Sequence, residues 1–239
     1  MQRSHLDKEK TKSRIIIDHP HYIHPNSDSR DVFYGTLDYD PDDAYNYNVI
    51  FYINENEKLS DLLTQLPYGL VDKKATGIGA TTLEIKSKRD SIIVVPTRKL
   101  ARQKVDKENK EQGKKTCLYF SSEETTSTTE KELNGYLDNT EIEYKKIVVV
   151  ADSLWKVIKY MKNKIGENVY RDYFLMVDEI DTLQSDGHFR KALEDVIDYY
   201  LKFKMQKRCL VSATVKEFSN PDLEKEYKNY TYKQCSRSY

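Results

Sequence analysis

From Asn48 onward the chain alternates short apolar runs with charged segments whose apolar positions recur at helical spacing. NVIFYIN (48–54) is β-branched and aromatic, and EKLSDLLTQL after it repeats Leu59, Leu62, Leu63 and Leu66 at the spacing of one helical face. The alternation then continues: GLVDK before TTLEIKSK, SIIVVP before RKLARQKVDKENK, KTCLYF, and KIVVVA before DSLWKVIKYMK. It closes with YFLMVD before FRKALEDVIDYYLKF, and RCLVSAT before PDLEKEYKNY. Strands that alternate with helices predict crossover units, and near-continuous Val, Ile and Leu runs predict a mainly parallel sheet buried on both faces. Residues 1–46 are polar, with one apolar run at Ile15 to Ile17, and read as an N-terminal extension ahead of a single domain over 47–239.

The 239 residues carry 39 Lys plus Arg and 39 Asp plus Glu, so any contact with polyanions must come from a local cluster of charge. Such a cluster exists at 98–115, where Arg98, Lys99, Arg102, Lys104, Lys107, Lys110, Lys114 and Lys115 face three acids. Residues 121–144 carry seven acids and one Lys and are expected to keep away from nucleic acid. Cys117, Cys209 and Cys235 form no CxxC pair, which suits a reducing compartment without a disulfide framework or zinc site. His19, His21 and His24 sit beside prolines without ligand spacing and read as a solvated loop. No stretch has the length of a membrane span and the N-terminus lacks a signal-peptide core, so a cytoplasmic protein without a membrane partner is expected.

In open parallel sheets ligands bind outside the carboxyl ends of the strands, so the loops after strands hold the candidate chemistry. KKATGIGATT (73–82) places Gly77 and Gly79 where tight turns let backbone N–H groups approach a phosphate. Compared with the P-loop pattern GxxxxGK[ST], Gly79 and Thr81 hold their places while Ala80 stands at the lysine position. FLMVDEID puts Asp178, Glu179 and Asp181 at a strand tip, where adjacent carboxylates repel unless a cation offsets them, most naturally a divalent metal. RCLVSAT ends another strand with Ser212, Ala213 and Thr214.

In order, ATGIGATT, VVPTRKLAR, VDEID and VSAT resemble the first RecA-like domain of superfamily 2 helicases, the DEAD and DEAH-like ATPases, over roughly residues 59–232. The resemblance implies an α/β RecA-like P-loop NTPase fold, a three-layer sandwich with ATP and Mg2+ as ligands. It implies a phosphate loop of Thr76, Gly77, Ile78, Gly79, Ala80, Thr81 and Thr82, with Thr81 and Asp178 as magnesium ligands and Glu179 positioning the attacking water. Asp181, Ser212 and Thr214 correspond to residues that couple the nucleotide to nucleic acid. Pro96, Thr97 and Arg98, with Arg102, Asp152 and Ser153, correspond to contacts with a DNA or RNA backbone.

Two departures stand out. Without the P-loop lysine the site lacks a charge-assisted contact worth roughly 1.5 to 3 kcal/mol in binding, and ~10²-fold or more in rate if that group serves the transition state. Lys73 and Lys74 head the same loop, and Lys74 falls one position from the upstream signature lysine of the deviant P-loops in the MinD and ParA family. The sequence also ends about 25 residues after SAT, whereas the helicase engine needs a second RecA-like domain in the same or another chain. Two functions are thus expected as alternatives. One is part of a magnesium-dependent helicase ATPase; the other is an inactive RecA-like module that binds nucleic acid or protein partners without turnover.

Overall fold

The computed structural model describes residues 14–18, 31–34, 48–53, 58–61, 63–73, 76–123, 127–180, 190–213, 221–224 and 230–234. Ten strands form one sheet: β1 (Arg14–Asp18), β2 (Asp31–Tyr34), β3 (Asn48–Ile53), β4 (Gly69–Asp72), β5 (Ser91–Val95), β6 (Cys117–Tyr119), β7 (Lys146–Val150), β8 (Phe174–Asp178), β9 (Arg208–Ser212) and β10 (Tyr230–Gln234). Their order is β2-β1-β3-β10-β4-β9-β8-β5-β7-β6. Every pairing from β3 through β6 is parallel, and β1 and β2 add antiparallel at the other edge.

The parallel strands alternate their side chains between two cores. Ile92, Val94, Ile147, Val149, Leu175 and Val177 face one, and Ile93, Val95, Val148, Val150, Phe174 and Met176 face the other. The first core is closed by α3 (Glu130–Asp138), α4 (Leu154–Ile165), α5 (Val169–Asp172) and α6 (Arg190–Lys202), and the second by α1 (Ala80–Lys86) and α2 (Arg98–Gln112). The result is the expected three-layer α/β sandwich with a mainly parallel sheet.

Three segments differ from the sequence reading. The leucine-rich stretch after β3 forms only a 3-10 turn, Leu59–Asp61, although Leu59, Leu63 and Leu66 are buried as their spacing predicts. Pro67 disfavours helical backbone at Leu66, and the Leu59 N–H is bonded to the Ile78 carbonyl at 2.9 Å. After β9 the last helix, α7, is a single turn, Pro221–Glu224, and Tyr230 opens strand β10 between β3 and β4. Within residues 1–46, β1 takes up the Ile15–Ile17 run and β2 pairs with it. His19, His21, His24 and Cys235 lie outside the described residues, whereas Cys117 and Cys209 are buried free thiols. Among the described residues no helix is long and apolar enough to cross a membrane.

A buried polar cluster ties α1 to the amino ends of the strands. Glu84 is fully buried and accepts from Arg89 Nε at 2.9 Å, from Ser87 and from Ser91, while Lys146 donates to the Glu84 carbonyl at 2.8 Å. Arg89 also lies over the Phe174 ring at 3.3 Å from its centroid. Burial raises the Glu84 carboxyl pKa, but the Arg89 and Lys146 charges and the hydrogen bonds outweigh it and hold it below the ordinary value of 4.5. Burial lowers Lys146 to about 8.

Removing one partner of such a cluster strands the others. Glu84→Gln is expected to destabilise the fold by ~3 kcal/mol at neutral pH in urea denaturation, because Arg89 and Lys146 lose their buried counter-charge. Since the folded-state pKa is depressed, the Glu84 contribution is present above the unfolded value of 4.5 and is lost as pH falls through the lower folded one. The gap between wild type and variant should therefore be constant at neutral pH and narrow on acidification.

Candidate functional site

The loop joining β4 to α1 turns on two glycines in left-handed conformation, Gly77 at φ 74° and Gly79 at φ 94°, where other residues would be strained. It is braced from outside by the 3-10 turn: Lys58 Nζ donates to the Gly77 carbonyl at 2.9 Å, beside the Leu59 to Ile78 bond. The first helical bond of α1 runs from Leu83 N–H to the Gly79 carbonyl, so the N–H groups of Ala80, Thr81 and Thr82 stand outside the helical ladder. Helix α1 has only seven residues, so these donors, rather than a long helix dipole, are what the loop offers an anion.

The tip of β8 faces this loop. Asp178 is buried, accepts from Thr81 Oγ1 at 2.5 Å on one oxygen, and on the other accepts from its neighbour's N–H at 3.0 Å. Glu179 has φ 52°, a left-handed backbone that costs a non-glycine residue about 1 to 2 kcal/mol. It is held there by that N–H bond and by Lys73, whose Nζ lies 2.6 Å from Glu179 Oε1 and 3.0 Å from Asp178 Oδ1. Burial by itself lowers the Lys73 pKa, but the Asp178 charge and the hydrogen bonds to both acids outweigh it and raise it above the ordinary lysine value.

A third lysine approaches from α2. Lys104 Nζ donates to Thr82 Oγ1 at 2.8 Å. Its pKa is lowered, chiefly by burial and further by the charges of Lys107, Lys73 and Lys58, although Asp178 opposes the shift.

The structure thus brings together Gly77, Ile78, Gly79, Ala80, Thr81, Thr82, Asp178 and Glu179, with exposed Thr76 at the mouth of the loop. Ser212 is buried at the end of β9, in register with Asp72 of β4 and one residue beyond the partner of Asp178. Lys74, Asp181 and Thr214 lie outside the described residues. From sequence, Lys73 is offered with Lys74 at the head of the loop but only Lys74 is carried forward as a site residue, and Lys104 is placed only in the basic cluster. Lys104 had a usable signal, because it shares the inward stripe of α2 with Ala101, Val105 and Glu108. Lys73 had none beyond its place at a strand end. A cavity of about 370 Å³ lies elsewhere, lined by Lys86, Ser87, Glu108, Cys117 and Lys146.

At the carboxyl ends of β5 and β7, Arg98 Nη2 lies 3.2 Å from Asp152 Oδ2 and Arg98 Nη1 lies 3.5 Å from Glu123 Oε1. Glu123 also pairs with Arg102, which sits over the Tyr119 ring. The acidic segment thus begins against the basic helix, where two guanidinium groups one helix turn apart attract the nearest carboxylate. The Thr97 hydroxyl caps α2 through the Leu100 N–H at 3.2 Å. Pro96 is half-buried. Ser153 is buried, bonded to Asp152 and Ser122, so Thr97, Arg98, Arg102 and Asp152 are the exposed groups here.

The DEAD/DEAH box helicase family model matches residues 73–221, which is more than half of the chain and contains the glycine loop, the acid pair and the basic helix. The chain belongs to the DEAD/DEAH box helicase family. Among solved structures it is similar to a variant of S. cerevisiae Dbp5 bound to a Gle1 variant and IP6, at 16 % identity and TM-score 0.45, covering 72 % of this chain and 43 % of that one. A second Dbp5 structure, bound to Nup159, the Gle1 variant, IP6 and ADP, gives 16 % identity and TM-score 0.46 over 71 % of this chain and 44 % of that one. The chain thus spans less than half the length of those chains. No curated protein matches it. As a member of this family it is a helicase-type, nucleotide-binding RecA-like module.

The bond from loop to strand tip is short, buried and charge-assisted. Thr81→Val keeps the volume of the side chain but leaves the carboxylate short of a donor, and is expected to cost ~2 kcal/mol of stability in urea denaturation, with Thr81→Ser retaining most of it.

Proposed function

We propose that this chain is the N-terminal RecA-like domain, over residues 47–239 with a polar extension at 1–46, of an ATP-dependent helicase acting on DNA or RNA. The observation that carries the reading is the 2.5 Å bond between Thr81 and Asp178, 97 residues apart, which sets a glycine phosphate loop against a pair of acids. The donors fit a hard cation: a hydroxyl and a carboxylate supply oxygen, and magnesium ordinarily takes one or two protein carboxylates with phosphates and waters completing its shell. Thr81 and Asp178 would hold Mg2+, which when bound neutralises charge on the phosphates.

The rest is work for the chain's own residues. The N–H groups from Gly77 to Thr82 cradle the phosphates of ATP, with Thr76 beside them and Lys74 as a further binding residue. Glu179 orients a water and accepts its proton as the water oxygen bonds to the γ-phosphorus and the bond to the bridging oxygen breaks, giving ADP and phosphate. Asp181, Ser212 and Thr214 couple this state to the polynucleotide, whose backbone runs past Pro96, Thr97, Arg98, Arg102, Asp152 and Ser153. A second RecA-like domain, in the same or another chain, completes the cleft. A module without turnover is the second reading, favoured by Ala80 at the lysine position.

Glu179→Gln should preserve binding of labelled ATP while abolishing phosphate release measured with polynucleotide and the second domain supplied. Wild type without turnover under those conditions would leave the binding module standing. At the other end, a phosphate backbone must compete with Glu123 for Arg98 and Arg102. Glu123→Gln is expected to tighten polynucleotide binding several-fold and to steepen log Kd against log salt by roughly 1 to 2, since each phosphate neutralised contributes ~0.7 to 0.9 to that slope.

A further inference from the structure

We infer that Lys73 supplies the charge that Ala80 cannot, and that its ammonium moves from the acid pair to the phosphates when nucleotide binds. The inference rests on the nucleotide reading above and deepens it. Ala80 is buried and ends at its Cβ. Three described lysines surround the loop. Lys58 is spent on the Gly77 carbonyl from the outer side, and Lys104 on Thr82 from the flank. Lys73 alone among the three bonds the acids, with Nζ between Asp178 and Glu179.

The fold explains how a residue seven positions upstream of Ala80 arrives there. The N–H of Lys73 is pinned to the Ser212 carbonyl at 2.7 Å, at the end of β9, which separates β4 from β8. Strands lie about 4.8 Å apart, so the backbones of β4 and β8 are roughly two strand spacings apart, a gap that the lysine stem and the acid side chains close from both sides. It crosses the end of β9, where Ser212 and Ala213 are small and leave room for its stem.

Charge explains why the ammonium would move. Two carboxylates and one ammonium give a site with one net negative charge, and without Lys73 it would have two. A nucleoside triphosphate with its metal is itself anionic, so the bare acid pair would repel it. When a divalent cation takes over the compensation of Asp178, the phosphate oxygens become the strongest acceptors within reach of Nζ. That exchange also releases Glu179 from its ion pair, so the base is held in check until the substrate is present.

The test is titration of a fluorescent ATP analogue with Mg2+, read by anisotropy, on wild type, Lys73→Gln, Ala80→Lys and the double variant, each with its thermal melt. Lys73→Gln is expected to weaken binding by ~10- to 100-fold, the range for one charge-assisted hydrogen bond, and Ala80→Lys to recover at least about tenfold in the double variant. Rescue by a lysine at a different position is something a merely structural role would not produce. If Lys73→Gln does not fold, the same comparison in a Glu179→Gln background removes the stranded carboxylate. Wild-type affinity in Lys73→Gln, or loss that Ala80→Lys does not repair, overturns the inference while wild-type binding keeps the nucleotide reading. Absence of binding by both wild type and Ala80→Lys overturns the two together.

Discussion

One ammonium between two carboxylates organises the functional end of this molecule. Asp178 and Glu179 are adjacent at the tip of a buried strand, and two such charges held together in a poorly solvated place repel strongly. Lys73 compensates both, and Thr81 and the Glu179 N–H satisfy the remaining oxygens of Asp178. The left-handed backbone at Glu179 persists because these bonds over-determine it. The parallel sheet makes the arrangement possible, since it gathers the ends of β4, β9 and β8 at one edge although their residues are far apart in the chain.

The two ends of the sheet use charge differently. At the amino ends, Glu84, Arg89 and Lys146 form a closed set in which each buried group meets several partners, so the cluster locks α1 to the strands. Beyond the carboxyl ends of β5 and β7 the ion pairs are more open. Arg98 and Arg102 are about half exposed and share one carboxylate, Glu123, an arrangement that a stronger anion can replace at small cost because exposed pairs contribute little.

With Ala80 at the P-loop lysine position, positive charge near the loop comes only from neighbouring elements among the described residues. The loop keeps its glycine turns and, at the start of α1, N–H groups outside the helical ladder, and the surrounding lysines arrive from three separate elements. Their mutual repulsion is visible in the lowered Lys104 pKa, to which burial contributes most.

The sequence alone determined the strands that are apolar throughout, the helices with one apolar face, and the identity of the acids and glycines at the strand ends. Those features are local, and their periods of two and 3.6 residues are written into neighbouring positions. It misjudged the leucine stretch after β3, where burial at helical spacing was read as helix while Pro67 and bonds to the glycine loop decided otherwise. It offered Lys73 and Lys74 together as loop-head cations and carried only Lys74 forward as a site residue. Nothing local distinguishes the two: which lysine reaches the acids depends on β9 lying between β4 and β8, and on the direction in which the chain leaves the end of β4. The pairing of Glu123 with the basic helix was likewise decided by tertiary structure, because Coulomb attraction acts on distance in space and the sequence records only distance along the chain.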